Sequence, residues 1–134
     1  MIGVLIITHE DLGDQLIRCA SHVLGVQPSQ LAYLSVFPQD DPEATLAKAR
    51  TFIAQLDSGD GILLLSDILG ATPCNIASRL VQPGKVACIA GVNLPMLVRV
   101  LTYRNEPLSA VVEKAISGGL RGVLAIDTEL DHAS

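Results

Sequence analysis

The segment Ile62-Leu63-Leu64-Leu65-Ser66 is apolar up to its closing serine, and it lies between Gly59-Asp60-Gly61 and Asp67. A run this short is a strand rather than a helix, and with no polar face it must be covered on both sides. Strands of that kind sit in the middle of parallel sheets that carry helices on both faces. Four other runs have similar character: 2–7 (IGVLII), 31–37 (LAYLSVF), 85–91 (KVACIAG) and 120–126 (LRGVLAI). The segments between them carry apolar residues at helical spacing. The order β-α-β-α with short loops predicts one α/β domain, doubly wound, with an open and mainly parallel sheet.

The connecting segments have recognisable ends. Leu12, Leu16, Cys19, Ala20 and Val23 share one helical face, and Gly25 is a stop. Asp41 with Pro42 is an N-cap followed by a first-turn proline, opening a helix that carries Leu46, Ala49, Ile53 and Leu56. Thr72-Pro73 opens a short helix through Ile76, Ala77 and Leu80 by the same logic. Leu94, Leu97, Val98 and Leu101 begin a helix that Asn105-Glu106-Pro107 interrupts. Leu108, Val111, Val112, Ala115 and Ile116 continue as another, which Gly118-Gly119 is expected to end before a fifth strand at 120–126. The domain is read as residues 1–127, with a polar tail at 128–134. The strand order is expected to be the flavodoxin-like 2-1-3-4, with the last strand at an edge.

Apolar residues are 49% of the 134 and charged residues 17%, which excludes intrinsic disorder. A chain this small and this apolar would leave a large patch wet as a monomer, so a homodimer is expected. The Gly118-Gly119 pair reads as a hinge that would let the C-terminal strand be exchanged between subunits and cover a sheet edge. Net charge is −5 with scattered Lys and Arg, and aromatics are only 3%, which argues against nucleic-acid binding. No apolar run nears the ~20 residues of a membrane span, and the N-terminus lacks the marks of a signal peptide. Cys19, Cys74 and Cys88 match neither a disulfide framework nor a zinc motif and suggest a reducing cytoplasm.

In such a sheet the ligand crevice lies beyond the carboxyl ends of the strands, where the winding reverses. There the sequence offers Thr8, His9, Glu10 and Asp11 after strand one, Asp67 to Pro73 after strand three, and Gly91 to Pro95 after strand four. With strands one and three adjacent, His9 and Asp67 meet. His9 can serve as nucleophile, base or ligand, or merely cap the next helix. Asp67 can hold one ring nitrogen of His9 and fix its tautomer, or cap a turn through its own backbone. Gly70-Ala71-Thr72-Pro73 gathers N–H groups and a hydroxyl at a helix start, which suits an anion; it also reads as a simple Thr cap. Glu10 and Asp11 with Asp67 are metal-ligand types, equally explained by first-turn helix electrostatics. Cys74 reads as a packed thiol before a catalytic one, His22 as structural or exposed, and His132 as an inert tail residue.

The opening IGVLIITHEDLGDQL, the segment DILGATP at 67–73 and GVNLPML at 91–97 together resemble the mannose-type enzyme IIA family of the bacterial sugar phosphotransferase system. The resemblance runs through the chain to Asp127. It implies that His9 is phosphorylated, at the ring nitrogen far from the backbone, by the histidine-containing phosphocarrier protein, and that it passes the group to a histidine of a separate enzyme IIB. It implies that Asp67 bonds the other ring nitrogen and that Gly70, Ala71 and Thr72 face the phosphoryl group. It implies no metal or organic cofactor, and a C-terminal strand paired with the partner subunit's sheet. The run Ile68-Leu69-Gly70-Ala71-Thr72 stands where the family more often has Leu-Phe-Gly-Gly-Ser; the hydroxyl is kept.

The alternative is a receiver-like signalling module phosphorylated on Asp67. A receiver also needs a Lys after strand five and a Ser or Thr after strand four, where this chain has Ile126-Asp127 and Val92-Asn93. A small nucleotide or flavin module fits the crevice but lacks a Gly-rich loop after strand one.

Overall fold

The structure, a computed structural model, describes residues 1–127. The expected tail at 128–134, with His132 in it, lies outside the described residues. The elements are β1 (Gly3–His9), α1 (Leu12–Leu24), β2 (Leu31–Val36), α2 (Pro42–Leu56), β3 (Ile62–Ser66), α3 (Thr72–Ser78), β4 (Val86–Ala90), α4 (Leu94–Tyr103) and α5 (Leu108–Arg121).

The four strands form one sheet in the order β2-β1-β3-β4, and every neighbouring pair is parallel. This is the expected order 2-1-3-4. Alternation along the two central strands splits the core. Val4, Ile6, Leu63 and Leu65 face Ala20, Met96, Leu97, Val100, Val111 and Ala115 of α1, α4 and α5. Leu5, Ile7, Ile62 and Leu64 face Leu46, Ala49, Ile76 and Ala77 of α2 and α3. All five residues of β3 are buried, as a strand without a polar face requires.

Local signals act as read. Gly25 ends α1 in the left-handed region at φ 70°, its N–H donating to the Ser21 carbonyl. Asp41 caps α2, its carboxylate accepting from the Glu43 N–H, with Pro42 in the first turn. Arg104 closes the amino-terminal edge of the sheet. It is 5% exposed, and its guanidinium donates to the carbonyls of Ile2, Ser29 and Gln30. Burial pulls its pKa down.

The C-terminal reading needs correction. No strand forms at 120–126: α5 runs through Gly118 and Gly119 to Arg121, and 122–127 is neither helix nor strand. The two glycines are a packing contact rather than a stop or a hinge. A Cβ on Gly118 would lie 2.9 Å from Cβ of Arg99, and one on Gly119 would lie 2.8 Å from the Met96 methyl. Asn93 fastens the same turn, its side-chain amide donating to the Gly119 carbonyl at 3.1 Å. Close approach of α4 offsets the roughly 1 kcal/mol that each glycine costs a helix. Val123, Leu124 and Ile126 beyond it are 75%, 60% and 82% exposed.

Candidate functional site

β1 and β3 are neighbours whose outward connections lead to opposite sides, so their carboxyl ends form the switch point of the sheet. His9 is the last residue of β1, and Asp67 follows the last residue of β3. The pair meets across this gap. One carboxylate oxygen of Asp67, Oδ2, accepts from the His9 backbone N–H at 3.1 Å and lies 2.7 Å from His9 Nδ1. The His9 side chain is 48% exposed and that of Asp67 only 11%.

A carboxylate only accepts hydrogen bonds, so in the neutral ring Nδ1 carries the proton and Nε2 keeps its lone pair. Burial pushes the Asp67 carboxyl upward, and the hydrogen bonds from the ring and backbone N–H of His9 outweigh it, leaving the group below its ordinary range. The second carboxylate oxygen, Oδ1, is buried and has no partner among the described residues, as is the hydroxyl of Ser66 beside it. The Ser66 carbonyl accepts from the N–H groups of both Gly91 and Val92, which ties the ends of β3 and β4 together.

After Asp67 the chain crosses exposed Ile68, Leu69 and Gly70 and enters α3. Gly70 turns with φ 86°, a conformation glycine adopts without strain. Ala71, extended at φ −89° and ψ 168°, is the N-cap, and Thr72 is the first helical residue. The Thr-cap reading is thus replaced. The Thr72 side chain is exposed, with no hydrogen bond to the described residues. Pro73 follows in the first turn, where its missing N–H costs no helical bond.

Asp11 stands at the N-cap of α1 without a side-chain bond to the helix. Cys74 is buried, a packed thiol; burial with neighbouring Cys74 pushes the Cys88 thiol up to about 11. Among the described residues no group of three or more His, Cys, Asp and Glu is arranged to hold a metal ion. None of their helices is long and apolar enough to cross a membrane.

The loops around the pair carry charge of one sign. The Glu10 N–H donates to the Val36 carbonyl, so the turn after β1 lies beside the loop after β2. Residues 9–11, 37–41, 67–71 and 91–93 hold Glu10, Asp11, Asp40, Asp41 and Asp67 and neither Lys nor Arg. Phe37, Ile68 and Leu69 are exposed among them, at 42%, 56% and 82%. A groove of about 970 Å³ follows the open edge of β2, and its lining does not include His9. Asn93 caps α4 by accepting from the Met96 N–H, as Asn before a first-turn Pro signals locally; the Thr8 bond to Gly13 and the Asn93 bond to Gly119 are not announced by local sequence patterns.

Residues 3–116 match the family described as EIIA-man, PTS system fructose IIA component. The chain belongs to this family. It is 35% identical over 128 residues to the PTS system mannose-specific EIIAB component of Escherichia coli (strain K12), a match covering 93% of this chain and 39% of that protein. The chain thus spans well under half the length of that relative. It is 29% identical over 107 residues to the PTS system fructose-specific EIIA component of Bacillus subtilis (strain 168), covering 79% of this chain and 73% of that one. Among solved structures, the mannose/sorbose specific IIA subunit of the phosphotransferase system from Enterococcus faecalis superposes with a TM-score of 0.84 at 21% identity, over 94% and 95% of the two chains. The EIIA component from Streptococcus agalactiae gives 0.83 at 23%, over 93% and 97%. At such identities these two likenesses speak for the fold alone.

Proposed function

We propose that this EIIA-man chain is a phosphohistidine carrier of the sugar phosphotransferase system, cytoplasmic, with residues 1–127 as the carrier unit. His9 Nε2 attacks the phosphoryl group of the histidine-containing phosphocarrier protein; the donor's P–N bond breaks as the new one forms. The group then leaves to a histidine of a separate enzyme IIB. The observation that carries this reading is the half-exposed ring of His9, whose Nδ1 is taken by Asp67 at 2.7 Å and whose Nε2 is left to react. Asp67 orients the ring and supports its positive charge once Nε2 is phosphorylated. Gly70, Ala71 and Thr72 offer N–H groups and a hydroxyl to the phosphoryl oxygens, and no metal or organic cofactor enters the step.

A rim of exposed apolar residues and acids around His9, away from the groove along β2, suits a protein partner better than a small substrate. The receiver reading is less well supported, because Asp67 Oδ2 already accepts from His9 twice. We also propose a homodimer in which exposed Val123, Leu124 and Ile126 pair with a second copy, tested by sedimentation equilibrium of the full chain and of one ending at Gly122.

The functional test is incubation with phosphoenolpyruvate, enzyme I and the phosphocarrier, read by intact mass. One acid-labile phosphoryl group is expected, lost in His9→Ala and kept in His22→Ala. Labelling of His9→Ala to the wild-type level overturns the assignment.

A further inference from the structure

We infer that Thr8 is the positioning residue for His9, an assignment that rests on the carrier reading of that histidine. Thr8 is fully buried at the end of β1. Its hydroxyl oxygen accepts from the Gly13 N–H at 2.9 Å, and the hydroxyl donates to the His9 carbonyl at 3.3 Å. Gly13 lies in the first turn of α1, where N–H groups have no helical partner. Asp11 stands at the N-cap position yet caps nothing. A strand residue three positions earlier has taken over its task.

This bond closes a short loop from Thr8 to Gly13 around His9 and Glu10. Within the loop Glu10 is held at φ 47°, a left-handed conformation that a side chain with a Cβ seldom adopts. The surroundings over-determine that strained turn. The Glu10 N–H donates to Val36, the His9 N–H to Asp67, and the His9 carbonyl accepts from Thr8. Gly13 is itself fitted to the site: a Cβ there would come within 3.0 Å of the Tyr33 Cβ and 3.3 Å of the Thr8 hydroxyl.

The consequence concerns direction rather than stability alone. The backbone of His9 is fixed on both sides, so the ring leaves it at one angle and Nδ1 arrives at Asp67. Without the Thr8 hydroxyl, the Gly13 N–H loses its acceptor and the turn at Glu10 loses its brace. The ring then samples other orientations, and the Nδ1–H tautomer that leaves Nε2 free to attack is no longer enforced.

The test compares Thr8→Val, which keeps the shape and removes the hydroxyl, with Thr8→Ser, which restores it. Nitrogen-15 NMR of the His9 ring is the readout that a purely structural role would not move. The wild type and Thr8→Ser should show the Nδ1–H tautomer, and Thr8→Val a mixture. Phosphorylation of Thr8→Val by the phosphocarrier should slow about 10- to 100-fold, with Thr8→Ser near wild type. An unchanged tautomer in a folded Thr8→Val overturns the inference, even where melting temperature falls. Should Thr8→Val fail to fold, hydrogen exchange of the Gly13 amide in the wild type decides: slow exchange is expected, and exchange as fast as an unbonded first-turn amide overturns it. The tautomer and exchange readings stand whether or not His9 accepts a phosphoryl group, so failure of the carrier reading is seen separately, as an unlabelled wild type.

Discussion

Replacing Asp67 by Asn tests the central pair most directly, because the amide matches the carboxylate in shape. Oδ2 now accepts from two donors, the backbone N–H at 3.1 Å and the ring at 2.7 Å. If the Asn oxygen takes that place, both bonds survive as neutral ones. The NH2 then occupies the buried position of Oδ1, which has no partner among the described residues. An unsatisfied buried donor costs about 1–3 kcal/mol. If the amide is flipped, its NH2 meets two donors, and the ring must surrender its Nδ1 proton. That places the proton on Nε2 and removes the nucleophile. Either way the negative charge beneath the forming phosphoimidazolium is lost, and a hydrogen bond to a charged group is worth ~1.5–3 kcal/mol. One factor of ten corresponds to about 1.4 kcal/mol, so charge and tautomer together slow transfer on the order of 10²–10⁴-fold. Rapid-quench measurement of phosphoryl transfer from the phosphocarrier at saturating donor gives this number directly. A rate within about twofold of wild type, far below any charge-assisted bond, would reduce Asp67 to a turn-former.

Three further outcomes follow from the same geometry. The Asp67 carboxyl lies below its ordinary range in the fold, so its contribution to stability is present above an unfolded pKa of about 3.9 and fades as pH falls through the lower folded value. The stability gap between wild type and Asp67→Asn in urea should therefore narrow below about pH 4; a gap constant down to pH 2 refutes the linkage. Arg104→Met should cost about 2–4 kcal/mol in urea unfolding, since the carbonyls of Ile2 and Ser29 lose a buried charged donor. Gly122→Ala should destabilise by ~1–3 kcal/mol, because its Cβ would stand 2.5 Å from the Pro95 ring; a raised melting temperature contradicts the packing described for α5.

Much of the architecture is written locally. The unbroken apolar run at 62–65 has no face to offer water, which makes β3 a central strand and sets helices on both sides of it. Asp41-Pro42 and Gly25 mark helix ends because a cap carboxylate and a left-handed glycine act within one turn of chain. The meeting of His9 with Asp67 was legible too, since both follow apolar strands and the order 2-1-3-4 makes those strands neighbours.

The tertiary structure alone decided the rest. Gly118-Gly119 has the composition of a stop, and only the nearness of Arg99 and Met96 turns it into a helix contact that carries α5 on to Arg121. Thr8 sits in an apolar strand pattern, and its capping bond to Gly13 depends on where α1 crosses β1. Asp11 and Thr72 are good cap residues by type, yet the caps fall to Thr8 and to the backbone at Ala71. Arg104 looks like one more surface cation until three carbonyls from the amino-terminal edge of the sheet converge on it. The division has one physical origin. Periodicity, caps and turns are energies between residues a few positions apart, so a single chain displays them; which small residue is a contact and which hydroxyl is a brace depends on partners that folding brings from elsewhere in the sequence.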